Sequence, residues 1–118
     1  MARGGVWCVA GAGLMRHHVD NVVFVEECAD RIEARGITED EVLGALTASA
    51  EPGELGPRQI GREGSGRRGG LELWFLCRCP RSGKYLEVGV ELMPGGTAMC
   101  YHAMEMRDTD RKRFRERR

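Results

Sequence analysis

The chain has 118 residues, of which 42% are hydrophobic and 31% are charged. This length suits one small domain, and this composition is typical of a folded protein rather than a disordered one. No apolar run is long enough for a membrane-spanning helix, so the sequence predicts none. The five cysteines are odd in number and irregularly spaced, which favours reduced thiols in a cytoplasm over a secreted disulfide framework.

Basic and acidic residues balance at 18 each, but they are unevenly distributed along the chain. Residues 1–57 carry a net charge of −6, residues 58–106 a net charge of +2, and residues 107–118 a net charge of +4. This polarity favours a basic surface that meets RNA or an acidic partner. A solvated, salt-bridged surface explains the same pattern.

Residues 1–19 leave two alternatives open: a first strand at VWCVA, or an N-terminal extension. Residues 20–118 are predicted to form a single domain. Its first helix is predicted in NVVFVEECADRIEARG, because Val22, Val25 and Ile32 recur at helical spacing. The glycine that ends this segment is the expected C-terminal stop.

A second helix is predicted immediately afterwards, in GITEDEVLGALTAS. Thr38 is a candidate N-cap, and Glu41 three residues later completes the pattern of a capping box. Val42, Leu43 and Leu46 would form the buried side of this helix. The short break between the two helices predicts that they pack as a pair.

Residues 50–70 (AEPGELGPRQIGREGSGRRGG) are predicted to form a loop, because they are rich in glycine and in polar side chains. Arg62, Arg67 and Arg68 in this segment are candidates for binding nucleic acid. A mobile basic loop can close over a polyanion, although basic loops without that role are equally common.

Three later stretches alternate between apolar and polar residues: LELWFLCRC, KYLEVGVEL and TAMCYHAMEM. Turn residues in PRSG and MPGG separate them, so they predict an antiparallel meander. In the last strand, strict alternation places His102 on the face of Cys100 and Met104. Tyr101 and Glu105 then fall on the other face.

The chain ends in RDTDRKRFRERR, which predicts a short basic helix capped by Asp108 or Thr109. Phe114 is the only apolar residue of this helix and would dock it. The predicted fold class is therefore α+β. A small antiparallel meander of three to four strands packs with two N-terminal helices and the short basic C-terminal helix, with the helices on one face.

Cys77-x-Cys79 and Cys100-x-His102 raise the question of a metal site. Structural zinc sites take their ligands from turns, whereas residues two apart on a strand lie about 7 Å apart along one face. Cys77 and Cys79 also continue an apolar face, where cysteine acts as a small hydrophobic residue. The sequence therefore predicts neither a metal nor another cofactor.

One chemistry for which the chain has the right residue types is cleavage of RNA without a metal. It needs a base for the 2′-hydroxyl, an acid for the leaving oxygen and cations for the phosphate. His102, Tyr101 and Glu105 are candidate catalytic residues, although a histidine hydrogen-bonded within a core is the alternative for His102. The candidate nucleic-acid contacts in the last helix are Arg107, Arg111, Lys112 and Arg115.

Taken in order, ECADRIEARGITEDEVLGALTA, a glycine- and arginine-rich loop, GKYLEVGVEL and HAMEMRDTDRKRFRER resemble the BrnT-like toxins of the RelE/ParE-like toxin–antitoxin group. The resemblance implies an antiparallel sheet flanked by helices and a cytoplasmic, metal-independent endoribonuclease that cleaves mRNA. It implies a DNA-binding antitoxin as the partner, and either a homodimer or a toxin–antitoxin hetero-oligomer as the assembly. Arg35, which stands where the family often has histidine before glycine, becomes a further catalytic candidate.

Besides Arg35, two further residues depart from the family pattern. Met104 stands where an arginine is usual, and Phe114 stands where a tyrosine is usual. These departures motivate a second hypothesis, in which the same fold has a degenerate site and binds nucleic acid or a protein. A third hypothesis is a small interaction domain whose exposed strand edge pairs with another chain.

Overall fold

We describe the structure, a computed structural model, for residues 6–14, 17–48 and 57–116, and its side chains for residues 19–48 and 57–115. The elements are β1 (Val6–Leu14), β2 (His17–Phe24), α1 (Glu26–Ala34), α2 (Glu39–Leu46), β3 (Arg58–Ser65), β4 (Leu71–Arg78), β5 (Tyr85–Met93), β6 (Thr97–Glu105) and α3 (Asp108–Glu116). The strands form one sheet in the order β1-β2-β6-β5-β4-β3. All neighbours are antiparallel except β2 and β6. The predicted α+β class is confirmed, and the predicted meander is β4-β5-β6.

The N-terminal part of the described chain forms strands for longer than the sequence predicts. Strand β1 lies within the segment that the sequence left open, and β2 continues to Phe24, where it pairs in parallel with β6. Val22 and Phe24 are buried while Val23 between them is only half-buried, which is strand periodicity. The predicted start of the first helix was therefore wrong. Apolar residues of a strand and of the following helix happen to share one helical spacing.

A strand also replaces much of the predicted loop over residues 50–70. Strand β3 pairs with β4 at the end of the sheet, with a bulge between Ile60 and Gly64. Most of its side chains are exposed, and Ile60 is its single aliphatic contact with a buried cluster. An edge strand held mainly by backbone pairing has no apolar alternation, so the sequence carried no signal for it. The predicted loop residues 50–56 lie outside the described residues.

The helix pair α1–α2 has the predicted caps. Gly36 has a φ of 74° just after α1, the left-handed conformation that ends many helices. The Thr38 hydroxyl accepts the Glu41 N–H at 3.0 Å, and the Glu41 carboxylate accepts the Thr38 N–H at 2.9 Å. Lys84 adds an ion pair with Glu41 at 3.0 Å and donates to the Gly36 carbonyl at 2.7 Å. The capping box is confirmed, and a lysine from the start of the β5 hairpin secures it.

Replacing Glu41 with glutamine tests the charge in this box. The hydrogen bond from the Thr38 backbone, followed by that from Lys84, lowers the pKa of Glu41 from 4.5 to about 2. A depressed pKa stabilises the fold above pH 4.5, and this stability is lost as the pH falls towards 2. We expect Glu41→Gln to lower the free energy of unfolding at pH 7 by roughly 1–2 kcal/mol and to flatten its decline in that window. Urea denaturation at several pH values measures this.

The control for Glu41→Gln is Glu105→Gln, because Glu105 is exposed and has no partner among the described residues. Its pH profile of stability should match that of the wild type. Equal acid sensitivity of the wild type and Glu41→Gln would contradict the assigned role of the Glu41 charge.

The main core lies between helices α1 and α2 and one face of the sheet. The helices contribute Cys28, Ile32, Val42, Ala45 and Leu46, and the sheet contributes Phe24, Leu73, Phe75, Leu86, Val88, Val90, Ala98 and Cys100. We call the other side of the sheet the open face. Within the described residues no helix is long and apolar enough to cross a membrane.

Helix α3 packs against one end of the open face. Phe114 is fully buried there with Leu76 and Met106, and its ring meets that of Tyr85 edge-on at 6.0 Å. Leu76 directly follows Phe75 of the main core, so its side chain points to the opposite side of the sheet. The prediction that Phe114 docks the last helix is confirmed. The prediction that the helices share one face is wrong for α3.

Candidate functional site

A bulge in β6 decides where the predicted catalytic side chains lie. In the pairing of β5 with β6, Gly89 is opposite His102 and Val90 is opposite Cys100. Tyr101 is therefore an extra residue on β6 with no partner of its own on β5. Such a bulge shifts the alternation of all the residues that follow it.

The shift brings Tyr101 and His102 to the same face. Cys100 before the bulge and Ala103 after it both belong to the main core, although they are three positions apart. The rings of Tyr101 and His102 both contact Trp74, which is on the open face. The prediction from strict alternation, which placed His102 with Cys100 and opposite Tyr101, was wrong here. In the pairing with β5, Tyr101 is an extra residue, and the alternation shifts after it.

His102 lies over the middle of the sheet, between an aromatic ring and a carboxylate. Its Nε2 is 3.1 Å from Oε2 of Glu87, and its ring centroid is 5.0 Å from that of Trp74. Gly89 is paired with Trp74 on one side and with His102 on the other. A Cβ at Gly89 would lie 3.0 Å from the Trp74 ring, so the missing side chain allows the two rings to approach above β5.

The environment of His102 favours the neutral imidazole. Burial lowers its pKa, the Glu87 carboxylate opposes that effect, and the charges of Arg35 and Arg31 add to the lowering. Because a carboxylate only accepts hydrogen bonds, the neutral ring places its proton on Nε2, towards Glu87. The Nδ1 lone pair then remains available as a base.

Tyr101 is held as a proton donor beside this pair. Its hydroxyl donates to Oε2 of Glu72 at 2.7 Å, and its ring meets Trp74 edge-on with centroids 5.7 Å apart. Burial raises the pKa of Tyr101, and the hydrogen bond to Glu72 raises it further. Tyr101 therefore stays protonated at neutral pH and can donate a proton but not accept one as a phenolate.

Arg35 follows the end of α1 and contacts the site through the backbone of β6. Its Nη1 donates to the carbonyl oxygen of Ala103 at 2.8 Å. Strand β2 ends at Phe24, so no other strand of the described chain pairs with this part of β6 on that side. Arg35 thus satisfies an edge carbonyl and brings its charge near His102 without touching the imidazole.

A buried glutamate fixes the turn that leads into β4. Glu91 is 1% exposed, and its carboxylate accepts from the Arg68 guanidinium at 3.1 Å and from the N–H groups of Arg68 and Gly70 at 2.8 Å each. Burial raises its pKa, but these bonds outweigh that effect and lower the pKa overall. A Cβ at Gly66 would lie 2.3 Å from the Glu91 carboxyl carbon, so only glycine fits there.

The structure brings together only some of the predicted site residues. His102 and Tyr101 are neighbours on the open face, with Arg35 behind the edge of β6. Glu105 is exposed at the end of that strand and contacts none of them. The predicted nucleic-acid contacts are exposed at three places: Arg62 on β3, Arg67 and Arg68 in the turn before β4, and Arg107, Arg111, Lys112 and Arg115 at α3. Arg68 is paired with Glu91 and Arg111 with Asp108.

Sequence reasoning missed Trp74, Glu72 and Glu87, which surround His102 and Tyr101. The sequence did contain a signal for them, because all three lie at the polar positions of strands in which polar and apolar residues alternate. Trp74 lies two residues after Glu72, in the set of alternate positions that holds the charged residues of β4, while the other positions of the strand are apolar. A tryptophan at such a position is unusual. What the sequence lacked was the register that places β4, β5 and β6 side by side.

The four cysteines whose side chains the structure describes belong to the core. Cys28, Cys77, Cys79 and Cys100 are free thiols at 1% exposure or less. Burial raises the pKa of Cys77, which suits an inert thiol rather than a ligand or a nucleophile. Within the described residues no three potential metal ligands converge.

Comparisons with models of protein families, with curated proteins and with solved structures give no match for this chain. The fold and the site therefore define only a small α+β protein with a histidine–glutamate pair on the open face of its sheet. The BrnT-like family stays a prediction.

Proposed function

We propose that this protein is the toxin of a type II toxin–antitoxin pair, a metal-independent endoribonuclease that cleaves mRNA in the cytoplasm. The observation that carries the proposal is the contact of His102 with Glu87 at 3.1 Å, beside a half-buried tryptophan and within reach of arginine charges. The order of sequence motifs shared with BrnT-like toxins supports the biological role. A DNA-binding antitoxin would be the partner of the free toxin, in a hetero-oligomer.

In this mechanism neutral His102 takes the proton from the ribose 2′-hydroxyl through Nδ1, and Glu87 holds the ring and stabilises the imidazolium that forms. The 2′-oxygen attacks the neighbouring phosphorus, and the bond to the 5′-oxygen of the next nucleotide breaks. Tyr101 donates its proton to that leaving oxygen and regains it through solvent. Arg31 and Arg35 stabilise the negative charge of the phosphorane-like transition state.

Binding of the RNA is supported by the neighbours of this pair. The exposed part of the Trp74 ring offers a surface on which a base can stack, a contact that every base can make. Helix α3 packs on the same side of the sheet and adds exposed basic side chains for the phosphates. The open face therefore combines stacking, charge and acid–base groups.

Cleavage of mRNA in a chelator tests the proposal. The purified protein should cut a single-stranded mRNA equally well with and without EDTA, because the mechanism uses no metal. The products should end in a 2′,3′-cyclic phosphate, which the attack of the 2′-oxygen produces. Induction of the protein alone should arrest growth and shorten bulk mRNA. Intact RNA and normal growth would contradict the proposal.

A second candidate function is nucleic-acid binding without cleavage. It is favoured by Met104, which lies on β6 two residues from His102 and carries no charge for a phosphate. In the same assay this function gives intact RNA bound in a salt-sensitive complex that weakens between about 50 and 200 mM salt. Cleavage products in EDTA would exclude it.

A further inference from the structure

A cavity of about 650 Å³ adjoins the bulge on β6. Sheet residues Glu72, Glu91 and Tyr101 line it, together with Arg31 of α1 and the arginines of the turn before β4. This volume is within the range of sites that bind small ligands. Tyr101, which directly precedes His102 on β6, lies in the lining, and its hydroxyl is bonded to Glu72.

Part of the lining is already satisfied by the protein. Glu91 uses both carboxylate oxygens within the fold, one on the Arg68 guanidinium and one on two backbone N–H groups. Arg68 and Glu91 thus neutralise each other and serve as scaffold. The turn lies so close to Glu91 that position 66 requires glycine, and the neighbouring Arg67 lines the cavity.

Four charged groups of the lining remain for a ligand, and one of them is the exposed carboxylate of Glu27 on α1. Arg31 and Arg67 are exposed, and neither makes an ion pair or side-chain hydrogen bond with the described residues. The Glu72 carboxylate receives one hydrogen bond, from Tyr101 to Oε2, and its Oε1 accepts none from the part of the chain described. The cavity therefore combines two free cations, the carboxylate of Glu27 one turn before Arg31, and the Glu72 carboxylate, which is the one that the protein has already oriented.

We propose that this cavity binds a guanine nucleotide, with its phosphate at Arg31 and Arg67 and the Watson–Crick edge of guanine at Glu72. Guanine is the base that presents two adjacent donors, N1–H and the N2 amino group, and a carboxylate offers two acceptor oxygens to match them. Adenine presents a ring acceptor at N1, which a carboxylate repels. Arginine guanidinium groups bind phosphate through paired N–H donors.

The inference rests on the proposed function for its purpose: a guanine held here would select which phosphate reaches His102. Its test does not depend on cleavage. Isothermal titration calorimetry of the full chain with guanosine 5′-monophosphate, adenosine 5′-monophosphate and inorganic phosphate measures the site alone. We expect the guanine nucleotide to bind at least about tenfold more tightly than the adenine nucleotide, and inorganic phosphate to bind more weakly than either.

Two variants separate the parts of the site. Glu72→Gln keeps an acceptor for Tyr101 but presents an amide that matches guanine poorly, so the preference for guanine should disappear while the fold is kept. Arg31→Gln with Arg67→Gln should weaken both nucleotides by about tenfold or more without changing the preference. Arg81→Gln, in the exposed turn before β5 and outside the cavity lining, should bind like the wild type.

Equal affinity for the two nucleotides, a preference for adenine, or no binding of either would overturn the guanine site. Guanine preference that survives Glu72→Gln would also overturn it. A guanine preference without any RNA cleavage would instead contradict the nuclease proposal alone. Cleavage with no nucleotide preference would contradict the guanine site alone.

Discussion

Replacing His102 with alanine is expected to slow RNA cleavage by a factor of about 10² to 10⁴, because it removes the neutral imidazole that we assign as the base. RNA affinity should change little, since Trp74 and the arginines remain in place. Single-turnover cleavage and equilibrium binding, measured on the same RNA, separate these two effects. A cleavage rate unchanged in His102→Ala would remove the basis of the proposed mechanism.

The carboxylate partner provides a finer test of the same pair. Glu87→Gln keeps a hydrogen-bond acceptor for His102 but removes the negative charge that raises the pKa of the imidazole. That pKa should therefore fall further. Because the neutral ring is the base, the rate rises as the pH passes the pKa, and this rise should move to lower pH in Glu87→Gln.

The rate of Glu87→Gln at its plateau should lie between those of the wild type and His102→Ala, because the imidazolium loses its stabilising charge. The matched control is Asp40→Asn, which removes an exposed carboxylate of α2 whose one ion-pair partner among the described residues is Arg81 at 3.8 Å. Its pH profile should follow the wild type. A profile of Glu87→Gln identical to the wild type would show that the carboxylate has no catalytic role.

The largest effect on stability is expected at the far end of the open face. Phe114→Ala should lower the free energy of unfolding by about 3–5 kcal/mol, the usual cost of truncating a buried phenylalanine. Phe114 is fully buried, and Arg58 adds a hydrogen bond to its carbonyl oxygen at 2.8 Å. Loss of the ring opens a cavity beside Leu76 and Met106, which α3 cannot fill with another apolar side chain. Urea denaturation followed by circular dichroism measures the change.

Phe114→Leu and Arg115→Ala are the controls for this result. Leucine keeps most of the apolar contact and should cost clearly less than alanine. Arg115 is exposed on the same helix, so its replacement should change stability by no more than about 0.5 kcal/mol. If the C-terminal segment were a disordered tail, all three variants would unfold at the same urea concentration.

Features that depend on a few neighbouring residues could be predicted from the sequence. The capping box of Thr38 and Glu41 was one, because both partners are three residues apart and their hydrogen bonds are local. The meander was another, since alternation and turn residues mark each of its strands. Phe114 could be identified as an anchor because it is the single apolar residue of a charged segment.

Features that depend on pairing between distant segments could not be predicted from the sequence. Strand β3 has one aliphatic residue and is defined by its hydrogen bonds to β4. The last residues of β2 form a strand, rather than the start of a helix, because β6 pairs with them. The position of α3 depends on the face of β4 to which Leu76 points, because α1 and α2 do not cover that face and Phe114 packs there. In each case the two interacting segments are too far apart in the sequence for the hydrophobic pattern of a single segment to reveal the contact.

The candidate site divides in the same way. The sequence by itself determined that His102 and Tyr101 lie on the last strand of a meander and that a basic helix follows them. Only the tertiary structure decided that both side chains share a face, because the extra residue in β6 arises from its register with β5. The same register places Gly89 between Trp74 and His102 and brings Glu87 to the imidazole. Alternation is a property of one strand, whereas a bulge is a property of two.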